Sequence, residues 1–311
     1  MYNVKIKNYG NGQVQTRIYS HLIYTGDKEK TEKEELERNP FDGEPTKEVR
    51  DFDEFEKEAD RRLNISLKRA KGKIYDYSRS NLWDWFVTLT FAPDTVNRYD
   101  YTSCTKKLSE WLHNMRRDTE TDFKYIVVPE RHKDGAYHFH GLFAGCDSLG
   151  ITFSGHCTNE GEKIYNIGRY KLGFTTATRV KQNEAVTKYI TKYTTKDLME
   201  HIKGKKKYWV SRNLNLPVET TYSLEDVEKQ SLHSELTQDG CLFYKSCMYE
   251  VGTAVRNVRY YEHMIPEETE NKRFVRKKVR WKNYYRIYQT IRNNSWRNKD
   301  RKINQEIEAY G

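Results

Sequence analysis

The sequence lacks any long apolar run. No window of its 311 residues holds the roughly 18 apolar side chains that a membrane-spanning helix needs, and the mean hydropathy is −0.99. Its start, MYNVKIKNYG, has no apolar core of the kind found in signal peptides. We therefore expect a cytoplasmic protein with no membrane partner.

Paired cysteines and nucleotide-binding loops are also missing. The five cysteines are scattered without a CxxC pair, which argues against a structural zinc site of the usual spacing and favours reduced, buried thiols. The pattern GxxxxGK[ST] does not occur, so the sequence carries no P-loop helicase motif. Internal repeats are likewise absent.

Aromatic residues are abundant, and the charge balance is basic. The aromatic share is 14%, including 24 tyrosines, and disordered chains are poor in such residues. Lysine and arginine number 55 against 45 acidic residues, a net charge of +10. A basic balance of this kind indicates a polyanionic partner, most often nucleic acid.

The charge is distributed unevenly along the chain. Residues 27–60 contain 15 acidic and seven basic side chains, whereas 272–302 contain 13 basic side chains interleaved with aromatic residues. Cations that bind phosphates and rings that stack on bases are typical of single-strand binding. Four of the rings in 272–302 have helical spacing, so we expect the rings mostly to pack and the cations mostly to face DNA.

This distribution suggests a division into four parts. We predict an acidic, partly disordered segment at 1–51 and an α+β domain at 52–215. The stretch 216–270 is an uncertain subdomain, and 271–311 form a basic, aromatic C-terminal helical extension.

The periodicity of the middle region predicts strands and helices in a definite order. Helices are predicted at about 52–79 and 102–118, and at 183–200 with Asn183 as a possible N-cap. Strands are predicted at 85–91, 124–128, 137–144 and 174–180, with a hairpin loop at 131–136. This order predicts an α+β fold with a central antiparallel sheet flanked by helices.

Two histidines on one strand form a candidate metal site. In the predicted strand Tyr137-His-Phe-His-Gly141, His138 and His140 lie on one face and Phe139 on the other. Glu130 falls on the neighbouring arm of the hairpin and could add a carboxylate oxygen to the two imidazoles. Such a set leaves coordination positions for water and a phosphate oxygen, which is typical of catalytic sites. His132 is an alternative ligand, but it falls in the turn, and ordinary surface histidines are the simpler interpretation of HFH alone.

Two tyrosines on one helix form a candidate nucleophile pair. Tyr189 and Tyr193 are four residues apart, and Lys188, Lys192 and Lys196 repeat at the same step beside them. Ammonium groups favour the phenolate form of tyrosine and hold phosphate. For this segment alone, a packed aromatic pair with solvated lysines is the simpler interpretation.

Taken in order, FVTLTF (86–91), HFH (138–140) and YITKYTTK (189–196) resemble motifs of the HUH superfamily of rolling-circle replication initiators. The resemblance covers roughly 80–200 and is to the two-tyrosine type of small single-stranded DNA phages and related plasmids. It implies an HUH endonuclease fold with about five antiparallel strands over 52–215. It also implies that Glu130, His138 and His140 bind Mg²⁺ or Mn²⁺.

The same resemblance implies the chemistry and the partners. Tyr189 and Tyr193 would act alternately as nucleophiles through a 5′-phosphotyrosine, with Lys192 and Lys196 stabilising charge at the phosphate and no nucleotide cofactor. The partners would be single-stranded origin DNA, a host helicase and a DNA polymerase in the bacterial cytoplasm. Further DNA contacts are expected from basic side chains on the tyrosine helix and in the C-terminal extension: Lys188, Arg276, Lys277, Lys278, Arg280 and Lys282.

Other functions remain open from the sequence. A relaxase or transposase of the same superfamily would use the same metal site, although two tyrosines favour an initiator over a single-tyrosine transposase. A metal-dependent hydrolytic nuclease would need the histidines but not the tyrosines. A DNA-binding or packaging factor would need neither.

Overall fold

The computed structural model describes residues 1–10, 12–24, 52–118, 123–238, 241–251 and 254–264. These residues form two compact units. The central unit comprises 52–216, and the terminal unit comprises 1–24 together with the described part of 217–264. Within the described ranges, no helix is both long and apolar enough to cross a membrane.

The central unit contains a seven-stranded sheet flanked by helices. The strands are β3 (Trp85–Phe91), β4 (Lys124–Arg131), β5 (Tyr137–Ala144), β6 (Ile151–Cys157), β7 (Lys163–Ile167), β8 (Gly173–Arg179) and β9 (Trp209–Val210). Their order in the sheet is β6-β7-β8-β3-β5-β4-β9, and every pairing is antiparallel. The helices are α1 (Phe52–Arg79), α2 (Tyr101–Asp118), α3 (Asn183–Lys192) and α4 (Lys196–His201).

The predicted α+β class with a central antiparallel sheet is confirmed. The sheet has seven strands where about five were expected, because β6, β7 and β9 are short or polar. Exposed strands at a sheet edge carry a weaker alternation of apolar residues than central strands do.

Strand β3 alternates between two packed faces of the sheet. Trp85, Val87 and Leu89 are buried in a core that includes Leu108 and Leu112 of α2. The intervening side chains of β3 face the opposite side, where α1 and α3 contribute to a second core. This second face, here called the site face, carries the residues of interest.

Two glycines allow close packing around the centre of the sheet. A side chain at Gly141 would place Cβ 3.0 Å from Val87 Cγ2 and 3.2 Å from the carbonyl oxygen of Ile126. At Gly173, where φ is +155°, Cβ would overlap the backbone carbonyl of Thr90. Both glycines are therefore required by neighbouring strands.

The predicted helix at 183–200 is two helices. Helix α3 ends at Lys192, and α4 begins at Lys196 with Thr195 as its N-cap, whose side chain accepts a hydrogen bond from the Leu198 amide. The threonine side chain satisfies a backbone donor at a new helix start, which favours the break. The N-cap of α3 is Gln182 rather than Asn183.

The terminal unit joins the two ends of the described chain. It contains β1 (Tyr2–Gly10), β2 (Gln13–Ile23), β10 (Val218–Tyr222), β11 (Cys241–Val251), β12 (Ala254–Met264) and α5 (Asp226–Gln238). The antiparallel order is β10-β1-β2-β12-β11. Leu232 and Leu236 of α5 pack with Val4, Ile18 and Tyr261 of the sheet.

The structure thus divides the chain differently from the sequence analysis, which treated 1–51 and 216–270 as separate parts. Their described residues share one sheet, because β2 pairs with β12 and β1 with β10. The predicted C-terminal extension at 271–311 and most of the acidic segment lie outside the described residues.

Candidate functional site

Adjacent strands bring a carboxylate and two imidazoles together on the site face. Glu130 of β4 is the register partner of His138 on β5, and His138 is the partner of Thr90 on β3. One row further along, His140 lies opposite Thr88. Cross-strand partners share a sheet face and have neighbouring side chains. The structure therefore places the three predicted metal ligands side by side.

A short hydrogen bond joins two of these groups. His140 Nε2 and Glu130 Oε2 are 2.7 Å apart, and the His140 side chain is almost fully buried. The hydrogen bond from His140 lowers the pKa of Glu130, so this carboxyl is ionised at neutral pH. An ionised carboxylate only accepts hydrogen bonds, which assigns the donating proton to His140 Nε2.

The second histidine is kept neutral by its surroundings. Burial is the main cause that lowers the pKa of His138, with a further lowering by His132. A neutral imidazole is the form that binds metal ions. His138 Nδ1 lies 3.2 Å from Thr90 Oγ1, and His140 Nδ1 lies 3.1 Å from Thr88 Oγ1.

The chemistry of these side chains suits a small divalent cation. Two neutral nitrogens and one ionised oxygen match the mixed ligand sets of catalytic metal sites. In the conformation present, Glu130 contacts His140 directly, and within the described ranges no group of three or more His, Cys, Asp or Glu side chains has metal-binding geometry. A cation would have to replace the hydrogen bond between the two side chains.

His132, the alternative ligand, is held in the turn. Its Nδ1 lies 3.2 Å from Asp134 Oδ1, and its side chain is exposed. Its ring centroid is 5.2 Å from that of His138. The geometry therefore places Glu130, rather than His132, in contact with His140.

Helix α3 places both candidate tyrosines against the histidines. The ring of Tyr193 stacks on His140 with centroids 3.6 Å apart and an interplanar angle of 17°. The ring of Tyr189 meets Tyr193 edge to face at 5.4 Å. Phe86 of β3 contacts all three rings, at 5.8 Å from His140, 5.2 Å from Tyr189 and 6.3 Å from Tyr193.

The two tyrosines differ in environment. Tyr189 is 44% exposed, whereas Tyr193 is half-buried between His140 and Phe86. Burial and then the hydrogen bond with Tyr189 raise the pKa of Tyr193. This direction is opposite to the one expected from neighbouring lysines, because no solvation compensates a phenolate at a half-buried position.

The three lysines of this segment do not form one stripe. Lys192 Nζ lies 5.4 Å from the centre of the Tyr189 ring, a cation–π contact, and Lys188 is exposed on α3. Lys196 begins α4, and its Nζ lies 2.8 Å from Asp60 Oδ2 of α1. Because of the helix break, the structure separates Lys196 from the stripe that the sequence predicted.

Some predicted and some unpredicted residues complete the account of the site. The five predicted DNA contacts between 276 and 282 lie outside the described residues. The sequence placed Thr88 and Thr90 on one face of β3 but gave no partner for them, and it treated Phe86 only as part of a core strand. The alternation of β3 and β5, taken together, was the signal that could have paired these residues.

One comparison with known proteins matches this region. Residues 84–198 match a family model of replication-associated proteins, the ORF2 type. The matched segment runs from β3 into α4 and contains every site residue named above from Phe86 to Lys196. This similarity supports a replication-associated role and contact with DNA. No curated protein and no solved structure matches the chain.

Proposed function

We propose that the protein is a metal-dependent, site-specific endonuclease and strand transferase that nicks single-stranded origin DNA to initiate rolling-circle replication. The observation that carries the proposal is the stacking of Tyr193 on His140, whose Nε2 contacts Glu130. Through these contacts, three motifs that are distant in the sequence meet at one place. The similarity of residues 84–198 to replication-associated proteins supports the same conclusion.

Tyr189 is the side chain best placed to attack DNA first. Its exposed ring leaves the hydroxyl accessible to a large substrate, whereas Tyr193 is half-buried. In the proposed step, Tyr189 Oη bonds to the scissile phosphorus and the bond from phosphorus to the 3′-oxygen breaks. The tyrosine loses its proton, and the 3′-oxygen gains one, leaving a 5′-phosphotyrosine and a free 3′-hydroxyl.

Tyr193 provides a second nucleophile for the later cut. Since each transfer exchanges one phosphate ester for another, its energy is retained and joining needs no nucleotide cofactor. The rings of Tyr189 and Tyr193 are in contact, so both hydroxyls can serve a phosphate at one site. Lys192, next to Tyr189, is suited to bind phosphate, whereas the charge of Lys196 is directed to Asp60.

Glu130, His138 and His140 are the residues that would hold Mg²⁺ or Mn²⁺. When bound, such a cation polarises a phosphate oxygen and stabilises the charge that develops on it. The protein residues supply an ionised carboxylate and neutral nitrogens, and the ring of Tyr193 covers one face of His140. The free 3′-hydroxyl would then prime a host polymerase, and a host helicase would separate the strands.

The test uses full-length protein with 5′-labelled and internally labelled single-stranded DNA from candidate origins. Samples with Mn²⁺, with and without EDTA, are resolved on a denaturing protein gel. We expect a metal-dependent, protease-sensitive labelled adduct. Changing both Tyr189 and Tyr193 to phenylalanine should abolish cleavage while leaving DNA binding nearly intact, and Tyr99→Phe is the matched control because Tyr99 is also exposed.

Other results would contradict the proposal in distinct ways. Cleaved DNA without an adduct, persisting in the double tyrosine variant, would indicate a hydrolytic nuclease. Binding without cleavage over a panel of sequences and metals would indicate a DNA-binding or packaging factor.

A further inference from the structure

Each candidate metal-binding histidine contacts a threonine hydroxyl on the neighbouring strand. His140 Nδ1 is 3.1 Å from Thr88 Oγ1, and His138 Nδ1 is 3.2 Å from Thr90 Oγ1. Both pairs are register partners between β3 and β5. The same contact therefore occurs twice, with the same ring nitrogen, in successive rows of the sheet.

Threonine is common in strands, so its presence in β3 needs no special explanation. The third site-face position of β3 is nevertheless phenylalanine, which shows that this face accepts a large apolar side chain. Only the two positions opposite histidines carry hydroxyl groups. This arrangement indicates a role for the hydroxyls themselves.

A hydroxyl group suits an imidazole that must change its tautomer. In the present conformation, His140 Nε2 donates to Glu130, so Nδ1 accepts a hydrogen bond and the Thr88 hydroxyl donates it. If Nε2 becomes a metal ligand, the proton has to reside on Nδ1, and the same hydroxyl can rotate and accept. A carbonyl or carboxylate partner could only accept and would fix one tautomer.

We infer that Thr88 and Thr90 are positioning residues, which hold the imidazoles of His140 and His138 by Nδ1 in either tautomer and direct both Nε2 atoms toward the Glu130 side of the site. The inference rests on the proposed function, since it assigns the threonines to the metal site of that function. Partners of this kind orient metal-binding histidines in many proteins, and their loss typically lowers metal affinity.

The experiment measures Mn²⁺ binding and histidine tautomers separately. Mn²⁺ affinity of the full-length protein is titrated by electron paramagnetic resonance. Long-range ¹H–¹⁵N spectra of histidine-labelled protein report the tautomer of each ring, without metal and with Mg²⁺. Neither measurement needs DNA or catalytic activity.

For the wild-type protein, we expect His140 to carry its proton on Nε2 without metal and on Nδ1 with Mg²⁺. Changing Thr88 and Thr90 to valine should weaken Mn²⁺ binding about ten- to a hundredfold, and changing them to serine should restore it to within about threefold. Valine keeps the branched shape suited to a strand. Thr176→Val is the matched control, because Thr176 is the partner of Thr88 on β8 and points to the same face.

Three results would overturn the inference. Equal Mn²⁺ affinity in the wild-type and valine proteins would do so while leaving the proposed metal site intact. Loss of affinity in the serine variants equal to that in the valine variants would show that packing, not the hydroxyl, matters. A wild-type protein that binds no Mn²⁺ would overturn the inference together with the metal dependence of the proposed function.

Discussion

The contacts of Phe86 predict that its ring orders the two tyrosines. This residue touches His140, Tyr189 and Tyr193 at centroid distances of 5.8, 5.2 and 6.3 Å. We expect that Phe86→Leu removes these ring contacts while keeping most of the apolar volume. The tyrosines would then lose part of the surface that holds them over His140.

The size of the effect follows from the number of contacts and their exposure. An aromatic pair contributes about 0.5–1.5 kcal/mol beyond the area that it buries. Phe86 is half-buried and Tyr189 is exposed, so the lower end applies to each of the three pairs. We expect the free energy of unfolding to fall by about 1.5 kcal/mol and adduct formation to slow by roughly tenfold, because small misplacements of reacting groups are costly.

Urea denaturation and the rate of adduct formation measure the two effects. The matched control is Phe91→Leu on the same strand, where Phe91 is buried on the opposite face against Phe139 and Tyr170. This control should lose stability but keep the adduct rate of the folded protein. The reasoning is refuted if Phe86→Leu leaves the adduct rate unchanged, or if Phe91→Leu slows it equally.

Three further predictions concern other parts of the chain. Lys196→Met should change the adduct rate by less than about twofold, because an exposed ion pair with Asp60 contributes little; a tenfold loss in single-turnover assays would return Lys196 to the phosphate. Gly173→Ala should lower the free energy of unfolding in urea by at least about 2 kcal/mol, since its Cβ would lie 2.5 Å from the Ala92 amide nitrogen; an unchanged midpoint would contradict this. Deleting residues 272–302 should weaken single-stranded DNA binding and reduce the salt slope by about 0.7 per lost phosphate contact; an unchanged slope in fluorescence anisotropy would place those cations elsewhere.

The order of the elements around the site could be predicted from the sequence because the signals there are local. Alternation of apolar side chains defined β3 and β5, and it placed His138 and His140 on one face and Phe139 in the core, where it is fully buried. The turn between β4 and β5 is short, so it also brought Glu130 beside the histidines. In each case the information lies within a few consecutive residues.

The break between α3 and α4 was missed although its signal is also local. Residues 183–200 have continuous helical periodicity, and this pattern outweighed the threonines at 194 and 195. Capping by Thr195 then set a new helix start and directed Lys196 toward Asp60. A single side-chain hydrogen bond thus decided the direction of a charged group that periodicity had placed beside the tyrosines.

The sequence by itself determined the composition of the site, namely a carboxylate, two histidines and two tyrosines on elements of known type. Only the tertiary structure decided which groups touch. It stacked Tyr193 on His140, paired both histidines with threonine hydroxyls, and joined β2 to β12 from the opposite end of the chain. The physical reason is that periodicity specifies the face of each element, whereas register and packing between elements distant in sequence depend on the whole core.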